Sequence, residues 1–436
     1  MNGTKALLHA SVFDADGFRN DQFVRFAGTI RESGPMSAYF PKPGEEVTDV
    51  SGSLVLPGFV AGHTHVYSLF ARGLSLPFAP KSFQDILSQL WWKLDAKLDN
   101  AMTRASGAAA ANEFLQNGIT CILDHHASGG QIAGSLSALR QGICGDGGMR
   151  GVFCFETSDR FDPAACIAEN REFLSRPADG FSAGMFGLHA SMSLTEDTLR
   201  KVKEALGDAP IHVHAAEGPE DEEDCLSRYG ERVIARFDRH GLLNPGSLVV
   251  HAIRCDDAEL GLLKARRCRI ALNVSSNMNN GVGLPDIGRI LRSRVPVIVG
   301  NDGLSSAIAN EWQNVYYAAH LQKGITSFSL SDLWRMIEES WSYAGTLLGV
   351  KLGKLRPGYE ADFQIVPYVP PTPLSADNAF SHLFFGLFPG FRPKDVYVAG
   401  RPRIRDYRLD PALERAGKSA VSEALRLRDA LQKEES

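Results

Sequence analysis

Residues 57–65 read Pro57-Gly58-Phe59-Val60-Ala61-Gly62-His63-Thr64-His65. An unbroken apolar run after a Pro-Gly turn is the pattern of a strand buried on both faces, as in a parallel sheet. Residues two apart along a strand point to the same side, so His63 and His65 share a face at its end. One such pair carries little weight alone. Its meaning depends on what the rest of the chain brings to the same place.

Seven more apolar runs follow: Thr120–Asp124, Gly151–Phe155, Gly184–Leu188, Pro210–His214, Ser247–His251, Arg269–Val274 and Val295–Gly300. Amphipathic stretches separate them, among them Thr103–Asn117, Ala164–Leu174, Thr195–Leu206, Glu231–His240, Asp256–Arg266 and Asp286–Arg294. Strands alternating with helices imply an α/β fold, and eight of them imply a closed (β/α)8 TIM-like barrel. An open doubly wound sheet is the rival, but no Gly-rich phosphate loop follows the first strand.

The texture differs at both ends. Lys5–Phe13 and Phe23–Ile30 are short strands broken by Asp-Gly and Pro-Gly turns, and Ala361–Pro367 and Val396–Val398 resume that habit. Residues 1–57 and 355–436 are therefore expected to form one composite β-sandwich domain with a charged terminal helix over 411–433. Residues 58–354 form the barrel.

Composition sets limits. In 436 residues, 44% are hydrophobic and 22% charged, so a large core needs no staples. The formal net charge of −5 lacks the basic stripe that nucleic acid requires. Seven cysteines, an odd number with no C-x-x-C pair, fit a reducing compartment. No signal peptide or run of ~18 apolar residues is seen, so a soluble, cytoplasmic protein is expected.

Functional groups of such barrels sit at the C-terminal ends of the strands. There the sequence places His63 and His65 (strand 1), His212, His214 and Glu217 (strand 5), His251 (strand 6) and Asp302 (strand 8). Three imidazoles and one carboxylate suit a single divalent metal, zinc first, with iron or manganese also tolerated. An ion so bound lowers the pKa of a coordinated water toward ~7. Glu156 after strand 3 is a conceivable bridge to a second metal.

Pro57–His65, together with His212-Val213-His214-Ala215-Ala216-Glu217, His251-Ala252, Asp302-Gly303 and the Gly353–Phe363 return, resembles the amidohydrolase superfamily. Within it the chain is similar to the cytosine, guanine and chlorotriazine aminohydrolase branch. Leu90–Asp95, Asp124–Ser128, Ser275–Asn280 and Thr372–Asn378 look like the aminohydrolases associated with selenium metabolism, and less closely like 8-oxoguanine deaminase.

The resemblance implies roles. His63, His65, His214 and Asp302 would hold the metal, with His214 preferred over His212 by the H-x-x-E spacing. Glu217 would shuttle a proton to the ring, His251 would hold the water or polarise the substrate, and Asp302 would also take the water proton. His189, Trp92, His125, His126 and Asn277 would line the substrate pocket, the last four from loops. Asn301 stands where the family often has threonine. The run Glu220–Asp224 reads as a solvated acidic face. The implied activity is deamination of a purine-, pterin- or pyrimidine-like heterocycle by a homodimer. Dechlorination or cyclic-amide hydrolysis at the same metal is the alternative, and a non-catalytic scaffold is a third.

Overall fold

A computed structural model describes residues 3–435. Eight parallel strands form the barrel: β1 Phe59–Thr64, β2 Ile119–His126, β3 Arg150–Phe155, β4 in two pieces (Ser182–Gly184 and Phe186–Leu188), β5 Ile211–Ala215, β6 Leu248–His251, β7 Arg269–Leu272 and β8 Val297–Val299. The first half of β4 pairs with β3 and the second with β5. The seam between β8 and β1 closes through Asn301 N–H to His63 O at 2.8 Å and His65 N–H to Asp302 O at 3.3 Å. These two bonds lie among the candidate ligands, so closing the barrel and assembling the site are one event.

The strands are buried along almost their whole length, which is why they read as continuous apolar runs. Helices between them start where side-chain caps satisfy their free N–H groups. Asp99 accepts from Met102 N at the head of Asn100–Gln116, and Asp256 with Glu259 forms a capping box on Asp257–Ala265.

Both chain ends build one sheet of nine strands. Phe363–Pro367 runs antiparallel to Ser53–Pro57, which adjoins Lys5–Asp14 and then Gly17–Phe26. The expected sandwich is thus a single hydrogen-bonded sheet over its own apolar core, which includes Phe26, Phe363 and Tyr397. Buried Arg150 ties this sheet to the barrel, pairing at 2.7 Å with both Asp362 and Glu360. The terminal helix Pro411–Glu435 lies against barrel helix Asn100–Gln116, where Asn112 donates to Leu413 O at 2.9 Å. Its place in the sequence suggested the sheet; its apolar Leu413, Ala420, Leu427 and Leu431 are buried instead against the barrel side.

The acidic run departs from expectation. Pro219–Tyr229 is a helix, and Asp221 and Glu222 are buried in it. Asp221 accepts from Ala216 N at 2.9 Å, and Glu222 pairs with Arg232 at 3.2 Å. Two of the five acids therefore brace the loop after β5 rather than face solvent. Among the described residues no helix is long and apolar enough to cross a membrane, and all seven cysteines are free.

Candidate active site

The ends of β1, β5, β6 and β8 bring five side chains to one mouth of the barrel. His65 Nε2 stands 3.2 Å from His214 Nε2 and 3.3 Å from Asp302 Oδ1. His63 Nε2 lies 3.7 Å from the same oxygen, and His251 Nε2 lies 3.9 Å from Asp302 Oδ2. Two overlapping groups, His63–His65–His214 and His63–His251–Asp302, each have ligand atoms within 4.8 Å of one another.

The proton positions follow from what lies behind the rings. His65 Nδ1 faces the carbonyl of His125 at 2.7 Å, and His214 Nδ1 faces the carbonyl of His189 at 3.1 Å. A carbonyl only accepts, so each Nδ1 carries the proton and each Nε2 an unshared pair. In the neutral rings these lone pairs face each other at 3.2 Å, a repulsion that a shared cation, proton or metal, turns into binding, and the Asp302 carboxylate beside them favours such a charge. His63 Nε2 is buried without a hydrogen-bond partner in the same space. Burial also holds His63 near neutral form by lowering its pKa to about 4, and it pushes His214 well below its ordinary value. This donor set fits a divalent ion of zinc type.

The backbone is bent to make the convergence possible. Ala216, His251, Ala252 and Asp302 all have left-handed φ, at 53°, 73°, 51° and 54°. Such non-glycine conformations cost of order 1–3 kcal/mol each and persist where surrounding structure holds them. Here hydrogen bonds from Asp302 N to His63 O and from Thr64 Oγ1 to Asp302 O do so, at 3.1 Å each.

Glu217 reaches the same cavity, with its Oε2 3.4 Å from His251 Nε2. Burial, then the nearby charge of Asp302, pushes its carboxyl well above the ordinary range. A protonated Glu217 is a proton donor at neutral pH. Asn277 donates from Nδ2 to His251 Nδ1 at 2.8 Å. That leaves the proton of neutral His251 on Nε2, facing the Glu217 carboxyl and the Asp302 carboxylate.

The residue types at these strand ends, together with the sequence profile of the amidohydrolase family, which matches residues 54–403, settle the family. The chain belongs to the amidohydrolases. Among its relatives, the 5-methylthioadenosine/S-adenosylhomocysteine deaminase of Haloarcula marismortui is 28% identical over 87% of this chain and 88% of its own. The 5'-deoxyadenosine deaminase of Methanosarcina barkeri is 25% identical over 91% and 90%. The crystal structure of a zinc-bound adenosine deaminase from Xanthomonas campestris superposes with a TM-score of 0.83 at 19% identity, covering 98% of each chain. That likeness is one of fold.

The other expected pocket residues divide. His189 and Trp92 line the cavity. His125 and His126 do not. Strand β2 runs two residues beyond the expected Asp124, so both pair within the sheet, opposite Cys154 and Phe155, and are fully buried. His125 Nε2 faces Leu188 O at 2.9 Å, and its ring packs 4.5 Å from that of His214. Asn277 is also wholly buried, on helix Val274–Asn279 rather than a loop, and it meets His251 instead of a ligand. His212 sits behind His63, its Nε2 2.8 Å from His63 Nδ1. Glu156 belongs to neither ligand group; its carboxylate binds Arg160 at 2.6 Å.

Asp95, Arg160 and Asn280 are among the cavity residues that the sequence left without a role. Asp95 lies in a quoted motif, and Arg160 follows β3 by five residues. A charged residue in a strand-end loop was the only available signal, and it is a common one.

Proposed function

We propose that this amidohydrolase is a zinc-dependent deaminase of an aminoheterocycle, with a 6-aminopurine ring as the first choice. Two things support the ring: the named activities of the relatives above, and a cavity walled by Tyr67, Trp91 and Trp92 beside the ligand cluster. Aromatic faces suit a flat heterocycle.

His63, His65, His214 and Asp302 would hold the ion. When bound, the ion supplies Lewis-acid charge that makes a nucleophilic oxygen available near neutral pH. The protein's own groups do the rest. Glu217, kept protonated by burial, donates to the ring nitrogen next to the carbon under attack, which relieves negative charge there. The Nε2–H of His251 points at the same place and stabilises the developing oxyanion. Asp302 accepts the proton released by the nucleophile, and that proton leaves with ammonia. The carbon–nitrogen bond to the exocyclic amine breaks, and a carbonyl replaces it.

The observation that carries this reading is the pair of facing Nε2 lone pairs on His65 and His214, with Glu217 and His251 on the same cavity. The test is ammonia release from adenosine and 5'-deoxyadenosine by zinc-loaded protein. Glu217→Gln should keep its zinc and lose at least ~100-fold in kcat, the scale of a lost general acid. Full turnover in that variant removes Glu217 from the mechanism. Chloride release from a chlorotriazine without ammonia from any amine would move the assignment to dechlorination.

A further inference from the structure

Away from the ligands, the cavity wall has a one-sided hydrogen-bonding character. Arg160 is the sole lysine or arginine lining it among the described residues. Its guanidinium is already committed. It pairs with Asp95 at 2.9 Å and with Glu156 at 2.6 Å, and it lies 4.9 Å over the Trp92 ring and 4.6 Å over the Phe161 ring. One cation thus faces two buried carboxylates, 1% and 4% exposed. Arg160 is held between these two acids and two rings, and the Nε–H that has no partner is itself buried.

The neighbouring polar group has the same sense. His189 is 8% exposed and lines the cavity. Its Nδ1 is 2.6 Å from Ser193 Oγ, and that hydroxyl donates its own proton to Ala190 O at 3.0 Å. Ser193 therefore accepts from His189 Nδ1–H, which leaves His189 Nε2 an unprotonated acceptor. Glu156 has one oxygen on Arg160 and, as a carboxylate, acceptor capacity to spare.

We propose that Glu156, fixed by Arg160 and flanked by His189, sets substrate charge: the cavity takes aminoheterocycles that present further N–H donors to this wall and rejects those carrying a carboxylate. This rests on the deaminase reading above and adds the substrate class to it. It also separates this chain from relatives named for S-adenosylhomocysteine, whose zwitterionic amino-acid tail carries a carboxylate. A carboxylate entering here meets the acceptors of Glu156 and His189 and a cation already paired with two acidic side chains, so discrimination arises from repulsion as well as from fit.

The test is calorimetric binding to zinc-loaded protein of two ligand pairs that share a ring and differ in a carboxylate: 5'-deoxyadenosine with adenosine-5'-carboxylate, and cytosine with 5-carboxycytosine. Binding is measured in the Glu217→Gln background, so that turnover does not interfere. The uncharged member of the pair that fits should bind at least about tenfold more tightly, as a like-charge contact at several ångströms demands. Glu156→Gln releases Arg160 from one partner and should shrink that ratio at least ~3-fold, with zinc content unchanged. Equal binding of both members, binding of neither member of either pair, or an unchanged ratio in Glu156→Gln overturns the proposal. Ammonia release is scored separately in the parent enzyme. A preserved binding ratio without ammonia would sink the deaminase reading and leave the charge selection standing.

Discussion

His63 Nδ1 lies 2.8 Å from His212 Nε2, and neither ring is more than 1% exposed. For His63 to offer Nε2 to an ion, its proton must sit on Nδ1 and be donated to His212. The alternation of β5 places His212 and His214 on one face, one residue deeper and one at the mouth. One therefore braces a ligand and the other is placed to be one.

His212→Phe keeps the ring volume and removes the acceptor. Zinc affinity should fall ~10–100-fold, the usual cost of losing a partner behind a ligating histidine. Competition with a calibrated chelator reads this directly. An unchanged affinity would mean that His63 needs no help from His212.

Asn277 offers a sharper test of proton placement. With its amide donating to His251 Nδ1, the His251 proton faces Glu217 and Asp302. Asn277→Ala removes the donor and lets both tautomers form; kcat should fall about 10-fold with little change in KM. Asn277→Asp supplies an acceptor of nearly equal shape and pulls the proton to Nδ1. It turns a lone pair toward the Asp302 carboxylate and withdraws the donor that the oxyanion needs, so it should be the worse variant by a further factor of ~10. A milder effect for the aspartate than for the alanine contradicts this assignment.

These two relationships also mark where the sequence was readable. Histidines two apart at the ends of Phe59–Thr64 and Ile211–Ala215 announced a shared face, because strand alternation fixes direction without knowledge of neighbours. Strand positions were legible for the same reason: full burial on both faces leaves an unbroken apolar signature. His125 and His126 were misplaced because a histidine does not look like a strand residue, and only pairing with Cys154 and Phe155 shows that β2 continues through them. Asp221 and Glu222 were misplaced because composition cannot distinguish a solvated acid from one satisfied by a backbone N–H. Arg160 had only the common signal of a charge in a strand-end loop, since its meaning lies in Asp95 and Glu156, 65 and four residues away in the chain.

Buried Glu311 gives the fold a pH dependence. It sits on helix Ile308–Lys323 and accepts from Ser275 N at 3.3 Å. Burial raises its pKa from 4.5 to about 7. The folded state then holds this proton more tightly than the unfolded chain. Its stabilising effect is complete below pH 4.5 and is lost as pH rises through about 7. The loss amounts to at most about 3 kcal/mol. Glu311→Gln should flatten urea-derived stability between these two values and exceed the parent above the upper one. Parallel pH profiles for the two proteins would show that Glu311 does not carry the effect.

Gly300 tests the link between barrel closure and the ligand cluster. A Cβ there would lie 2.7 Å from both His63 N and His63 Cβ, and 2.5 Å from Asn273 Oδ1. The first contact is main chain of β1, which cannot rotate aside. Gly300→Ala should therefore push His63 out of place, cost about 1–3 kcal/mol of stability and weaken zinc retention. The same substitution at Gly261 is the control. That residue lies on helix Asp257–Ala265 with nothing within 4 Å of the added methyl. There alanine should stabilise by about 0.5–1 kcal/mol, from helix propensity and a less flexible unfolded chain, and leave zinc content alone. Opposite signs for one chemical change locate the cost of Gly300→Ala in the seam beside His63. If Gly300→Ala is as stable as the parent and keeps its zinc, the seam between β8 and β1 does not govern the ligand cluster.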